Sequence, residues 1–292
     1  MARWCCRCQR SKHGKLPSFT DFPTPMPFQI RSSRHALASP PWGWALSGGS
    51  VGLLIALLFF APAAWLGTAL TAASNGRLQL VDTSGSVWTG SARLIVTGGA
   101  GSRDAAALPG RVDWRIRPAW TGLNLSLNAA CCTPVPLYAR LRPGLQNQSI
   151  EIDNAVSQWP AELLAGLGTP FNTVQAVGAL SLGTQQLVLR RFEGRLAFTG
   201  TVQLQALGIS SRLSTYRPMG SYQLTLSGGA VPALVLSTLS GALNLSGSGS
   251  WVGTRLRFNG VAAVEPELQG AFTNLLNIIG RRQGAQSIIT IG

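Results

Sequence analysis

Histidine is nearly missing from this chain: it occurs only as His13 and His35. Everything after His35 therefore lacks an imidazole. That removes Ser-His and Cys-His pairs, a general base titrating near neutrality and a histidine-based zinc site. Lysine is as scarce, with only Lys12 and Lys15 among the 24 basic residues. Acids number ten, and nine of them, Asp82 onward, are mostly isolated. The pairs Glu151 with Asp153 and Glu265 with Glu267 have the i, i+2 spacing that two-carboxylate hydrolysis could use. On turns or at a helix entry such pairs read as solvated. The glycine string LSGSGSWVG lacks the GKS ending and following helix of a phosphate loop. No enzyme, cofactor or metal site is expected.

Charge of either sign is absent from the 42 residues between Arg34 and Arg77, which contain SVGLLIALLFFAPAAWLGTAL. A charge at the centre of a membrane-spanning helix costs about 2.5–3.5 kcal/mol on insertion scales, so a spanning segment needs such a gap. The expectation is one anchor over 43–67, with Trp42, Trp44 and Trp65 near the interfaces. A cleaved signal peptide is the alternative, since Ala61-Pro62-Ala63 has the small-x-small form of a cleavage site. Ahead of the gap, Arg3, Arg7, Arg10, Lys12, Lys15, Arg31 and Arg34 face one acid, Asp21, a net +6. By the positive-inside rule residues 1–42 are a cytoplasmic tail and 75–292 an exported, periplasmic domain. Residues 1–25 look unlike the rest, and Met26 is a second candidate start. Cys5, Cys6 and Cys8 lack a fourth ligand at metal-site spacing.

The net charge of +14 leaves +8 after the tail is set aside. Those charges are scattered singly along the chain, so nucleic acid is not expected as a partner, and membrane lipids are expected only through the anchor. Cys131 and Cys132 are adjacent, with Cα atoms about 3.8 Å apart, below the usual disulfide range. They could close a vicinal ring, stay as two thiols, pair with another chain, or be two small buried apolar residues.

From Asn75 onward the pattern is period two. Val112, Trp114 and Ile116 alternate with Asp113, Arg115 and Arg117; Val202, Leu204 and Ala206 with Gln203 and Gln205; Tyr222, Leu224 and Leu226 with Gln223 and Thr225. One apolar side per strand predicts a mainly β, antiparallel, meander-like sheet, as a sandwich or an open half-barrel. A weak repeat, GRLQLVDTSGSVWTGSARLIVTG from Gly76 and GALNLSGSGSWVGTRLRFNG from Gly241, predicts a hairpin with Trp88 or Trp251 over its turn. Two short helices are expected. One is capped by Ser157 and runs through Pro160 to Gly168. The other runs from about Pro266 to Ile279. Its stripe Leu268, Phe272, Leu275 and Ile279 would cover the sheet or face a partner, with Gly280 as C-cap and Arg281 and Arg282 at the dipole's negative end. Ser287 to Ile291 would be the last strand.

The anchor followed by PAAWLGTAL, the block GRLQL…GSVWTGSARLIVTGG, LPGRVDWRIRP and the closing stretch GSWVGTRLRFNGVAAVEPE…NLLNIIGRRQGAQSIITIG together resemble the type II secretion system protein N family. The resemblance runs from about residue 50 to the end. It implies an accessory, non-enzymatic inner-membrane component supporting export of folded exoproteins from the periplasm, with other inner-membrane or periplasmic secretion components as partners. It supplies no catalytic residues. The alternative from the residues is a lipid-handling protein, in which an incompletely covered sheet leaves a groove for acyl chains.

Overall fold

The computed structural model describes residues 42–144, 147–192, 195–253 and 255–292. The chain divides into two units, Met1–Ser47 and Gly48–Gly292. Of the first, the described residues 42–47 are the opening turns of helix α1 (Trp42–Phe60). The cysteines at 5, 6 and 8 and the basic tail up to residue 41 lie outside the described residues.

Helix α1 is uncharged and apolar on every side, and none of its described side chains is buried. It ends because Pro62 disfavours helical backbone at Ala61. Pro62 is extended (φ −68°, ψ 147°) and bridges Ser86, so the chain is pinned to the domain at this point. Helix α2 (Ala63–Ala73) then buries Ala63 and Gly67. The single anchor expected over 43–67 is thus divided, with 61–67 belonging to the domain. Among the described residues no helix is long and apolar enough to cross a membrane. Stopped at Phe60, α1 is about 28 Å long at 1.5 Å per residue, and its first half is diluted by Gly43, Ser47, Gly48, Gly49, Ser50 and Gly52.

The strands run β1 (Leu78–Gly85), β2 (Thr89–Thr97), β3 (Ala105–Ala107), β4 (Val112–Ala119), β5 (Gly122–Ala129), β6 (Leu137–Arg142), β7 (Asn147–Ile152) and β8 (Ala155–Pro160). After a 3-10 helix (Ala161–Leu167) and the short α3 (Phe171–Val174) come β9 (Val177–Phe192), β10 (Arg195–Ser210), β11 (Gly220–Ser227), β12 (Ala233–Gly241), β13 (Leu243–Val252) and β14 (Arg255–Val264). A 3-10 turn (Pro266–Leu268), α4 (Gln269–Ile279), β15 (Arg281–Gln283) and β16 (Gln286–Ile291) complete the fold.

Among the described residues all these strands form one antiparallel sheet, in the order β1-β2-β4-β5-β6-β7-β9-β10-β11-β12-β13-β14-β16-β15, with β3 on β2 and β8 on β9. Its ends, β1 and β15, are not paired, so the sheet is open rather than a closed barrel or a two-sheet sandwich. Near-neighbour pairing follows from the short turns of a meander.

The alternation read from the sequence becomes two faces. Leu182, Leu204, Leu224 and Leu236 are register partners across β9 to β12, with Ser181, Gln205, Gln223 and Ser237 behind them on the other face. There Gln205 Nε2 donates to Gln223 Oε1 at 3.0 Å. The apolar face is covered in three places. Helix α2 sets Ala63 over Ala92 and Trp114; the 3-10 helix brings Leu163 to Leu108 and Val112; α4 brings Phe272, Leu275 and Leu276 to Tyr222, Leu243 and Ala262. The string LSGSGS lies in β13, where a Cβ on Gly247 would meet the Phe258 ring at 2.5 Å. Its glycines therefore make room for a buried aromatic in a strand.

Both repeat units are hairpins, β1–β2 and β13–β14. Their tryptophans are not equivalent, because Trp88 precedes β2 whereas Trp251 lies within β13 opposite Leu256. The indole under the first turn is that of Trp114, whose Nε1 donates to Val87 O at 3.0 Å. Ser157 is no helix cap. It lies in β8, where its buried hydroxyl accepts from Trp159 Nε1 at 2.8 Å, and the helix that follows is 3-10. Gly280 is extended rather than left-handed (φ −174°), and Arg281 and Arg282 continue into β15.

Tyr222 is 6 % exposed, and among the described residues its hydroxyl has no hydrogen-bond partner. Burial pushes its phenol up from the ordinary value of 10.0. An unpaired buried hydroxyl costs about 1–3 kcal/mol. The folded chain also keeps the phenol proton at a pH where the unfolded chain releases it. Stability from this group is therefore present below pH about 10 and lost as pH rises beyond it. Tyr222→Phe should raise Tm at neutral pH by a few degrees, at about 2–4 °C per kcal/mol, and should flatten the decline above pH about 10. Thermal melts at both pH values check this, and a lower Tm at neutral pH contradicts it.

Candidate functional site

The structure joins Cys131 and Cys132 to each other in a disulfide, with Cα atoms 3.8 Å apart, in the turn from β5 to β6. Cys132 is buried with Leu108, Val112 and Ala129, whereas Cys131 is exposed. The Thr133 hydroxyl accepts from Ala129 N at 2.7 Å, and Gln158 N donates to Cys132 O at 2.8 Å. The first bond closes the turn on itself, and the second ties it to β8.

The helix offered as partner-facing faces inward instead. Phe272 and Leu275 are buried, with Leu268 and Ile279 packed half-buried against the same cluster. Leu276, one residue from the expected stripe, is buried as well, and the Ser287 hydroxyl donates to its carbonyl at 2.8 Å. The strands next to α4 leave an apolar face that needs cover, and α4 takes that role from within the chain. Phe272→Ala should therefore cost about 3–5 kcal/mol, while exposed Ile278→Ala costs less than about 1 kcal/mol. Denaturant melts of the two variants compare them directly, and equal costs contradict the assignment.

The polar face of β4 to β6 carries surface clefts. Arg115 lies opposite Ser126, which lies opposite Tyr138; Arg117 lies opposite Asn124, which lies opposite Arg140. Beneath them Trp114, Ile116, Leu125 and Leu127 point into the apolar side, as period two requires. These polar side chains line a cavity of about 390 Å³ that Asp153 closes on one side. A second cavity, about 730 Å³, shares Tyr138 and Asp153 and continues past Pro134, Val135, Pro136 and Val156. A third, about 550 Å³, shares Arg115, Ser126 and Tyr138 and includes Asp113. Tyr138 thus stands where all three meet.

Charge on this face is unequally spent. Arg140 pairs with Asp153 at 3.5 Å and Arg142 with Glu151 at 3.3 Å. Among the described residues Arg115 and Arg117 form no ion pair. The basic residues that look scattered along the sequence are therefore gathered by the register of β4 and β6. The segment LYARLR carried the signal, since Tyr138, Arg140 and Arg142 alternate with Leu137, Ala139 and Leu141. The carboxylates Glu151 and Asp153 each have their own arginine rather than sharing a site. Glu265 and Glu267 flank the exposed start of the Pro266–Leu268 turn. Among the described residues no three of His, Cys, Asp and Glu stand together as a metal site.

These features define an open, antiparallel sheet protein whose apolar face is covered by its own helices and whose polar face carries surface clefts. The family model for type II secretion system (T2SS), protein N, matches residues 76–289, from just before β1 into β16, and the chain belongs to that family. Membership assigns it a role in type II secretion and implies interaction with other components of that system. No curated protein and no solved structure matches the chain.

Proposed function

We propose that this protein is an accessory, non-enzymatic component of a type II secretion machine, held in the bacterial inner membrane with its sheet domain in the periplasm. The observation that carries the reading is the family match over 76–289. The chain ahead of the matched region supports the location. It has a basic tail, then the uncharged gap, then α1 with Leu53, Leu54, Phe59 and Phe60 more than half exposed. In water so much apolar surface on one helix is unfavourable, and lipid would accept it. The domain would then supply surfaces for other inner-membrane or periplasmic components while the secreted protein passes. Deleting the gene should reduce exoprotein secretion, measured as enzyme activity in the culture medium. An alkaline phosphatase fused after Gly292 should be active. Unchanged secretion sinks the role, and an inactive fusion sinks the topology.

A second reading, lipid handling, rests on one observation. The sheet is open, and the row Leu182, Leu204, Leu224 and Leu236 is only half-buried. If acyl chains lie there, native mass spectrometry of the full chain, purified in a detergent that strips loosely held lipid, should retain a lipid adduct. Bare protein alone would end this reading.

A further inference from the structure

We propose that the polar face of β4 to β6 is a docking site for an extended, acidic segment of a partner protein, anchored on Arg115 and Arg117 and laid across Tyr138. The inference stands apart from the secretion reading, because it rests on the geometry of the face alone.

Three observations carry it. First, the guanidinium groups of Arg115 and Arg117 are exposed and form no ion pair among the described residues, whereas their neighbours Arg140 and Arg142 are matched by Asp153 and Glu151. Exposed pairs contribute little singly, but two unmatched guanidinium groups next to each other on one face each offer a planar fork of donors suited to a carboxylate. Second, they stand two residues apart on one strand, about 6.6 Å at 3.3 Å per residue. Carboxylates at alternate positions of an extended chain have that same spacing. Asn124 and Ser126, on the neighbouring strand, supply side-chain amide and hydroxyl groups between the charges. Third, a second cavity adjoins the one at the arginines, sharing Tyr138 and Asp153 with it. Beyond Tyr138, which is 48 % exposed, it continues along Val135 and Val156, which are 63 % and 59 % exposed. An occupant should therefore carry negative charge at one end and small apolar side chains at the other.

The acids on this face are Asp113, Glu151 and Asp153. Asp153 and Glu151 are taken up by Arg140 and Arg142. Asp113 shares a cavity with Arg115 but forms no ion pair among the described residues, so Arg115 and Arg117 still outnumber the one unpaired carboxylate beside them. A lipid fits less well. Val135, Val156 and two prolines line an open furrow, which would leave an acyl chain in water, whereas a peptide tolerates a half-exposed position.

The test uses the full chain in detergent micelles and a fluorescent peptide, Gly-Glu-Ser-Glu-Gly-Val-Ser-Val-Gly, followed by anisotropy. Binding should weaken by about tenfold or more for the glutamine version of the peptide and for the Arg115→Glu/Arg117→Glu variant. It should also weaken between about 50 and about 500 mM salt. Tyr138→Ser should weaken it as well, while Arg255→Glu on β14 should leave it unchanged. Unchanged melting of each variant shows that the fold survives. Equal binding of the glutamine peptide, no binding at all, or loss on Arg255→Glu overturns the proposal. So does a result in which phosphatidylglycerol vesicles or inorganic phosphate, and not the peptide, lose binding on replacing Arg115 and Arg117.

Discussion

An open sheet has an apolar face that it cannot hide by folding onto itself. A closed barrel turns that face inward, and a sandwich shares it between two sheets. Here β1 and β15 stay apart, and the exposed face is covered piece by piece from the same chain. Helix α2 sits at one end of the sheet over Trp114, the 3-10 helix over Leu108 and Val112, and α4 over Tyr222 and Leu243. Each cover is short: α2 precedes the first strand, the 3-10 helix stands between β8 and β9, and α4 between β14 and β15. Pro62 opens the first of these covers and Gly280 follows the last.

Covering one side frees the other. With the hydrophobic work done by α2, the 3-10 helix and α4, the opposite face needs only to be polar. It nevertheless shows structure beyond mere solubility: a glutamine pair between β10 and β11 and, over β4 to β7, two arginine–carboxylate pairs beside two arginines that form none among the described residues. The apolar side is covered in three places by intramolecular contacts, and the polar face is left to solvent.

Much of this was legible in the sequence. Alternation around Trp114, Leu204 and Leu224 correctly separated the two faces, and the spacing of the glycines marked the hairpins. Antiparallel pairing followed from that alternation, since parallel strands would be apolar on both sides. The errors also have physical reasons. Ser157 and Pro160 have the spacing of a helix start, yet pairing of β8 to β9 outweighed that local preference. The apolar run over 43–67 reads as one helix, but Pro62 breaks it and Ala63 and Gly67 gain more from the sheet. The stripe on α4 was found, and only its direction was left open. Amphipathicity shows that a face must be buried, not against what.

The sequence by itself determined which residues share a side, the absence of imidazole chemistry from the body, and the secretion family to which the chain belongs, because these depend on local pattern and composition. Only the tertiary structure decided that the sheet stays open, that α4 is spent on the core, and that Arg115, Arg117, Tyr138 and Arg140 meet. Those outcomes depend on strand register and on which covers pack where. Neighbours in a sheet lie about 4.8 Å apart however far apart they are along the chain, and no local pattern reports that distance.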